Sequence, residues 1–236
     1  MNIGSILFLI TARKGSEGLP NKNFKEFLGH PLIYRSYDFA KKNARYNDKI
    51  CISTNDENII NFFIKQGVEI PFKRPESLST NTSTSDSVIE HALSFYESRG
   101  KIFDYVMLLQ PTSPFRSKDD FDKIIAKMDA KTEMVVSVKD CKANPYFNMF
   151  IENSKQNLSR LIGFVNYTRR QDVPKVYAFN GAYYFFKVSS FKNENSMNFT
   201  NIKKYIMPKW QSIDIDTMED WDLALYYAKK YLRNDL

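Results

Sequence analysis

A cationic loop between Arg13 and Asn23 is the first segment of the chain whose residue types could do chemistry. It contains two glycines and Lys22, and it follows an apolar run over residues 5–12 that predicts a buried strand of a parallel sheet. Ligands of open α/β sheets bind beyond the carboxyl ends of the strands, where this loop would lie. Glycine lets backbone N–H groups approach phosphate oxygens, and Arg13 and Lys22 would bracket the anion. The loop therefore predicts a triphosphate site, with a charged surface turn as the alternative.

Two carboxylates, Asp214 and Asp216, lie just before the last amphipathic segment of the chain. In an extended segment, residues two apart face the same side, so both carboxylates could bind one Mg²⁺ that also contacts phosphate oxygens. The alternative is a solvent-facing pair near a helix N-terminus, where acidic residues suit the helix dipole. Pairing with the cationic loop favours the metal site.

Two further polar segments could contact a ligand. The segment 110–116 follows another buried strand, and its two prolines would hold Gln110 and Arg116 as fixed donors unless they merely end the strand. Arg74 precedes a hydroxyl-rich run, residues 79–85, whose last members also suit helix capping.

Several other classes of site are excluded. The cationic loop lacks the Gly-Lys-Ser/Thr end of a Walker A loop and the spacing of the dinucleotide fingerprint. The histidines, His30 and His91, have no nearby Ser or Cys in a nucleophile elbow, which argues against a hydrolase triad. The cysteines, Cys51 and Cys141, form neither a disulfide framework nor a zinc motif, which fits a reducing cytosol.

Alternating strands and helices must position these residues. Such βαβ units predict a doubly wound, mostly parallel sheet. The rhythm breaks between about residues 142 and 178, which indicates an insertion into a single domain spanning residues 1–236. Ser117 and Thr217, each followed three residues later by an aspartate, predict capping boxes. The patterns predict strands at residues 5–12, 49–54, 68–72, 104–109, 134–138 and 183–186, and helices at residues 31–40, 56–67, 85–98, 117–128 and 217–232.

The composition suits a soluble globular protein of 236 residues, with 43% hydrophobic and 26% charged residues. A net charge of +7 favours anionic partners without choosing between nucleic acid, a membrane surface and acidic small molecules. The basic residues are scattered and show no interleaved aromatic run, so we expect no nucleic-acid partner. The opening apolar run is too short for a signal peptide or a membrane span, so we expect a cytoplasmic protein without a membrane partner.

Five motifs occur in order between residues 6 and 232. They are Arg13 with Gly15-Ser16, Gly18 and Lys22-Asn23; Arg74-Pro75-Glu76 followed by Ser85; Leu109-Gln110-Pro111-Thr112-Ser113-Pro114; Asn180-Gly181-Ala182; and Asp214-Ile215-Asp216-Thr217. Together they resemble the sugar-activating cytidylyltransferases, above all the acylneuraminate (CMP-sialic acid) enzymes and their relatives for other nonulosonic acids.

The resemblance implies a Rossmann-like nucleotidyltransferase fold with a mostly parallel sheet flanked by helices. It also implies a small projecting dimerisation insertion at about residues 142–178, and a homodimer. The implied reaction is the transfer of CMP from CTP to the anomeric hydroxyl of an acidic nonulosonic sugar, with Mg²⁺ as cofactor and pyrophosphate as product.

The resemblance also assigns roles to single residues. Catalysis would depend on Arg13 and Lys22 at the phosphates and on Asp214 and Asp216 as Mg²⁺ ligands. The implied nucleotide contacts are Ala12, Arg13, Gly15, Ser16, Lys22, Asn23, Arg74 and Ser85. The implied contacts of the acidic sugar are Gln110, Arg170, Asn180 and Tyr184, with Arg170 as the partner of the carboxylate.

The chain departs from the family pattern at two positions. Glu17 stands where the opening loop commonly has a lysine, which removes a cation from the triphosphate site. Ala178 stands where sialic acid enzymes carry a second arginine, and a methyl group cannot replace a bidentate carboxylate partner. The segments 144–148 and 168–175 look closer to the legionaminic acid branch. An eight-carbon ulosonic acid or another acceptor is an alternative, as is a non-catalytic module that binds nucleotide or nucleic acid.

Overall fold

The apolar runs of the sequence form the centre of a computed structural model, which describes residues 3–15, 18–163, 167–194 and 198–232. The strands are β1 (Ile6–Ala12), β2 (Glu26–Phe27), β3 (His30–Pro31), β4 (Lys49–Thr54), β5 (Tyr105–Leu109), β6 (Met134–Asp140), β7 (Phe150–Glu152), β8 (Leu158–Arg160), β9 (Tyr177–Lys187) and β10 (Ile202–Ile206). The helices are α1 (Leu32–Asn43), α2 (Glu57–Lys65), α3 (Ser85–Glu97), α4 (Lys118–Ala126), α5 (Val188–Asn193) and α6 (Met218–Tyr231).

A six-stranded sheet in the order β10-β6-β9-β5-β1-β4 organises the chain. β1 pairs in parallel with β4 and β5, and β10 pairs in parallel with β6. β9 lies antiparallel between β5 and β6. Its direction follows from the chain path: the insertion leaves β6 at its carboxyl end and returns there, without the crossover that a parallel strand needs. The prediction of an α/β fold with a mostly parallel sheet is confirmed.

Both faces of the sheet are covered, which explains why the strands are apolar without alternation. Along β1, Phe8 and Ile10 join the core cluster that contains Phe121, whereas Leu7 and Leu9 join the opposite cluster. A third cluster, which includes Phe27, Phe115, Ile215 and Trp221, holds α6 against the β2–β3 hairpin. That third cluster anchors the segment that carries Asp214 and Asp216.

Most of the elements predicted from sequence are confirmed, and both capping boxes form, Ser117 with Asp120 and Thr217 with Asp220. The prediction of a strand at residues 68–72 is wrong. In the described chain this segment is an irregular connection whose apolar side chains pack on the core without ladder hydrogen bonds. The sequence also left β10 unpredicted. Among the described helices, none is long and apolar enough to cross a membrane.

The irregular stretch predicted as an insertion leaves the sheet after β6 and rejoins it at β9. It contains the β7–β8 hairpin and a short 3₁₀ turn at Arg170–Asp172. Its exposed apolar side chains include Met149, Phe150, Ile151, Leu158, Leu161 and Tyr167.

A buried carboxylate fixes the start of β1. Asp48 is 5% exposed, and it accepts hydrogen bonds from the Ile6 backbone N–H at 2.8 Å and from Arg45 Nε at 2.9 Å. Burial by itself raises the pKa of Asp48, but the hydrogen bonds from Arg45 and Ile6 outweigh burial and hold this pKa below its ordinary value. The ionised form is therefore the stabilising one.

We predict that Asp48→Asn lowers the free energy of unfolding at pH 7 by about 2 kcal/mol, since the variant loses charge-assisted hydrogen bonds to a buried acceptor. The native pKa is depressed, so the contribution of Asp48 is complete above the ordinary aspartate pKa and fades as pH falls towards the native pKa. Urea unfolding measures the difference in the free energy of unfolding between wild type and variant, which should be smaller near pH 3.5 than at pH 7. The exposed Asp222→Asn is the control. A difference of equal size at both pH values would contradict the assignment.

Candidate active site

A cavity of about 550 Å³ lies at the carboxyl edge of the sheet, between the loop after β1, the loop after β5 and the segment before α6. Two predicted groups meet there, the nucleotide contacts and the paired carboxylates. The predicted site residues that line it are Ala12, Arg13, Lys22, Asn23, Arg74, Ser85, Gln110, Asp214 and Asp216. Thr80, Ser83 and Thr112 line it too, although the sequence assigned them no contact. Thr80 and Ser83 belong to the hydroxyl-rich run, which was the one available signal for them.

The cationic loop packs directly on the carboxylate segment. A Cβ atom at Gly18 would lie 2.4 Å from the backbone oxygen of Asp216, so only glycine allows this approach. Lys22 Nζ lies 2.5 Å from Asp216 Oδ1, and the two side chains are 12% and 65% exposed. Gly15 has a φ of 80° in the left-handed region. Ser16, together with the departure at residue 17, lies outside the described residues.

The two carboxylates differ in their bonding. Ile215 between them is fully buried, and both aspartates line the cavity, as the extended spacing predicts. Asp214 Oδ1 is buried without a hydrogen-bond partner, whereas Asp216 is paired with Lys22. Carboxylate oxygens are ligands that Mg²⁺ prefers, and an orphaned acceptor beside the cavity fits a cation.

The rest of such a metal shell must come from elsewhere. Within the described ranges, no group of three or more His, Cys, Asp or Glu residues could hold a metal ion. Mg²⁺ bound at Asp214 and Asp216 would therefore complete its coordination with ligand oxygens and water.

A buried cation lines the same cavity as the carboxylates. Arg74 is 5% exposed and donates from Nε to Ser53 Oγ at 2.9 Å. Burial lowers the pKa of Arg74 to about 10, and the charge of Arg13 adds to this lowering, so Arg74 stays charged at neutral pH. Asn23, 8% exposed, has a buried Oδ1 without a partner. Arg74 and Asn23 thus offer donors and one free acceptor to a polar ligand in the cavity.

Gln110 is held by a glycine on β9. Gly181 has a φ of 75°, and a Cβ atom there would lie 2.6 Å from Gln110 Oε1 and 2.8 Å from Ser113 Oγ. The expectation that Arg116 donates to a ligand is wrong, because its guanidinium is used within the protein. Its nitrogens donate to Ala182 O, Ser36 Oγ and Gln110 O at 2.7 to 2.9 Å.

Three predicted sugar contacts lie away from the lining of the main cavity. Arg170 lines a separate cavity of about 280 Å³ and donates to the Lys142 backbone oxygen at 3.0 Å. Asn180 is 1% exposed. Burial raises the pKa of Tyr184 and the charge of Asp214 raises it further, which shows that this ring lies near the carboxylate segment.

The fold of the chain matches that of a solved synthetase. The sheet and its connections superpose on the CTP complex of a CMP:2-keto-3-deoxy-manno-octonic acid synthetase with a TM-score of 0.67 and 16% identity, covering 96% of this chain and 98% of the other. This likeness concerns the fold.

The family follows from the sequence comparison. The profile of the family described as cytidylyltransferase matches residues 7–232, so the chain belongs to the cytidylyltransferase family. It is 29% identical to a pseudaminic acid cytidylyltransferase of Campylobacter jejuni, over 92% of this chain and 94% of the relative. It is 30% identical to a CMP-N,N'-diacetyllegionaminic acid synthase of Legionella pneumophila, over 93% and 94%. The resemblance drawn from the motifs is thereby confirmed at the level of the family.

We predict that Gly181→Ala destabilises the protein more than Gly100→Ala, which is a matched control because Gly100 has a φ of 73° and open space around it. Both variants place alanine in the left-handed region, at a cost of about 1 kcal/mol. Only Gly181→Ala also drives a methyl group into Gln110 and Ser113, which should add about 2 kcal/mol. Chemical denaturation measures the difference, and equal losses would show that the Gln110 side chain moves aside freely.

Proposed function

We propose that this cytidylyltransferase transfers CMP from CTP to the anomeric hydroxyl of an acidic nonulosonic sugar, giving the CMP-sugar and pyrophosphate. The observation that carries the proposal is the meeting, in one cavity, of Arg13 and Lys22 with the paired carboxylates Asp214 and Asp216. The names of the relatives from Campylobacter jejuni and Legionella pneumophila support this choice of acceptor.

Arg74 and Asn23 suit the cytosine base. Cytosine offers an exocyclic amino donor beside ring acceptors. Asn23 Oδ1 supplies an unpartnered acceptor, and Arg74 supplies charged donors. A buried polar group without a hydrogen-bond partner weakens binding of any ligand that fails to pair it. Cytosine would pair these groups, whereas a wrong base would leave them unpaired. Ser85, which begins α3, lines the same wall.

The cations and carboxylates of the lining suit the triphosphate. Arg13 and Lys22 would neutralise its oxygens, and Asp214 and Asp216 would hold Mg²⁺. When bound, Mg²⁺ would share the phosphate charge that develops during transfer. The protein's own part is positioning: it holds the α-phosphorus in line with the acceptor hydroxyl and supplies fixed positive charge. Lys22 leaves Asp216 for the phosphates when the nucleotide arrives.

Gln110 is the predicted sugar contact that lines the cavity, and it would orient the acceptor. Ala178 on β9 lacks the guanidinium that recognises the carboxylate of sialic acid in related enzymes. We therefore propose a nonulosonic acid other than N-acetylneuraminic acid as the preferred acceptor, of the legionaminic or pseudaminic kind.

We also propose a cytoplasmic homodimer. The insertion exposes a run of apolar side chains, Met149, Phe150 and Ile151, with Leu158 across the hairpin 71% exposed. Exposed apolar side chains clustered in sequence on a small insertion are typical of an interface between chains. Cys51 and Cys141 are unpaired, as a reducing compartment requires.

The reaction is tested by pyrophosphate release from CTP and Mg²⁺ with a panel of acceptors: legionaminic, pseudaminic, N-acetylneuraminic and eight-carbon ulosonic acids. We predict release with a nine-carbon acid, lower activity with N-acetylneuraminic acid, and loss of activity with EDTA. Preference for the eight-carbon acid would move the enzyme to another acceptor class. No pyrophosphate release with any acceptor, together with salt-dependent binding to single-stranded nucleic acid, would instead support a binding module.

The metal site is tested without turnover, by Mn²⁺ binding measured with electron paramagnetic resonance. Lys22 holds a positive charge at the predicted metal ligand Asp216. We predict that Lys22→Met raises Mn²⁺ affinity about tenfold in the absence of nucleotide, because this repulsion is removed. Lys25→Met is the matched control, since Lys25 lies over the Trp221 ring instead.

A second change checks where that Mn²⁺ binds. Adding Asp216→Ala to Lys22→Met should remove the gain in affinity, and Asp216→Ala alone should lower turnover roughly 100-fold or more. Mn²⁺ affinity equal to wild type in Lys22→Met would remove Asp216 from the metal site.

A further inference from the structure

Asn180 lies beneath the candidate active site with its side chain fully engaged. Its Nδ2 donates to Ser212 Oγ at 2.9 Å and to Met207 Sδ at 3.3 Å. Its Oδ1 accepts from Ser137 Oγ at 2.5 Å and from the Ala182 N–H at 3.3 Å. A primary amide has two donor hydrogens and one oxygen, so these contacts occupy both its donors and its acceptor. No donor of Asn180 is left over for an acceptor sugar.

Two partners of Asn180 belong to the two segments that carry the reacting groups, whereas its other partners lie on β6, on β9 and just after β10. Ser113, whose Oγ donates to the Asn180 backbone oxygen at 2.8 Å, is three residues from Gln110. Ser212 is two residues from Asp214. The two segments also bond directly, the Ile215 N–H donating to Thr112 O at 2.9 Å. Asn180 is therefore the buried point at which β9 joins the acceptor side of the cavity to the metal side.

We propose that Asn180 is a positioning residue, which sets the distance between the Gln110 loop and the Asp214 segment, and that it does not contact the acceptor. This inference rests on the proposed function, because it concerns how acceptor and phosphate are aligned. A hydrogen-bond network that is fully buried keeps its geometry, since breaking one member leaves another unpaired. Small displacements of aligned groups reduce the rate of the chemical step more than they reduce binding.

The test uses Ser212→Ala, which removes one bond to Asn180 from a residue outside the main cavity, and Asn180→Ala. The second variant removes the side-chain bonds that hold the Asp214 segment and keeps the bond from Ser113 to the backbone oxygen of residue 180. Positioning predicts that both lower kcat about tenfold or more, with the KM for the acceptor within about twofold of wild type. The double variant should be little worse than either single variant, because both changes break the same network. A contact role predicts instead a raised acceptor KM in Asn180→Ala and normal kinetics in Ser212→Ala.

The control is Thr132→Ala, which removes a buried hydroxyl whose Oγ1 donates to Asp129 Oδ1 at 2.7 Å, just before β6 and at the opposite edge of the sheet. It should lower Tm while leaving kcat unchanged, which separates loss of stability from loss of alignment. If Asn180→Ala does not fold, Ser212→Ala still decides the matter. A wild-type kcat in Ser212→Ala would overturn only this inference. Absence of turnover in the wild-type chain would overturn both the proposed function and the inference.

Discussion

The direction of β9 is the constraint on which the active-site edge depends. Because this strand runs antiparallel between β5 and β6, its early residues lie at the carboxyl end of its neighbours. Asn180 and Gly181 therefore reach the loop after β5 from below. Gly181 accepts a positive φ so that Gln110 can lie against it, and Asn180 bonds to the two adjoining segments. A parallel strand at this place would bring its amino end there and leave the loop unsupported.

The polar groups around the cavity at this edge differ in whether the protein provides them with partners. Asp214 Oδ1 and Asn23 Oδ1 are buried without a protein partner, and a ligand that bonds to them would satisfy both atoms. The Lys22–Asp216 pair has one exposed partner, because the Asp216 side chain is 65% exposed, and a triphosphate of much higher charge density can compete for Lys22. On the proposed function, the site is thus built to be completed by its ligands.

The sequence predicted what local chemistry determines. The capping boxes at Ser117 and Thr217 and the apolar run of β1 are readable because their partners lie within a few residues or because both faces of the strand are buried. β10 was not predicted because this edge strand is polar and mostly exposed. The wrong prediction of a strand at residues 68–72 is the reverse error. An apolar run indicates burial, but it does not provide a neighbouring strand with which to pair. Among the site residues, the spacing of Asp214 and Asp216 was enough to predict that both carboxylates line one cavity. The internal hydrogen bonds of Arg116 could not be predicted, because they depend on a carbonyl group far away in sequence.

The predicted nucleotide contacts and the predicted acceptor contacts differ in what supports them, and on the proposed function this difference has a consequence for specificity. Arg74 and Asn23 are buried among core elements, and Asp214 and Asp216 are fixed through the Ile215 cluster. These predicted nucleotide and metal contacts are therefore supported by the core of the domain. Among the predicted acceptor contacts, Gln110 lies on a loop, while Arg170 lies on the insertion and lines a cavity of its own. Substitutions on the loop and the insertion can alter the acceptor without disturbing CTP, which fits a family whose relatives, at about 30% identity to this chain, are named for different nonulosonic acids.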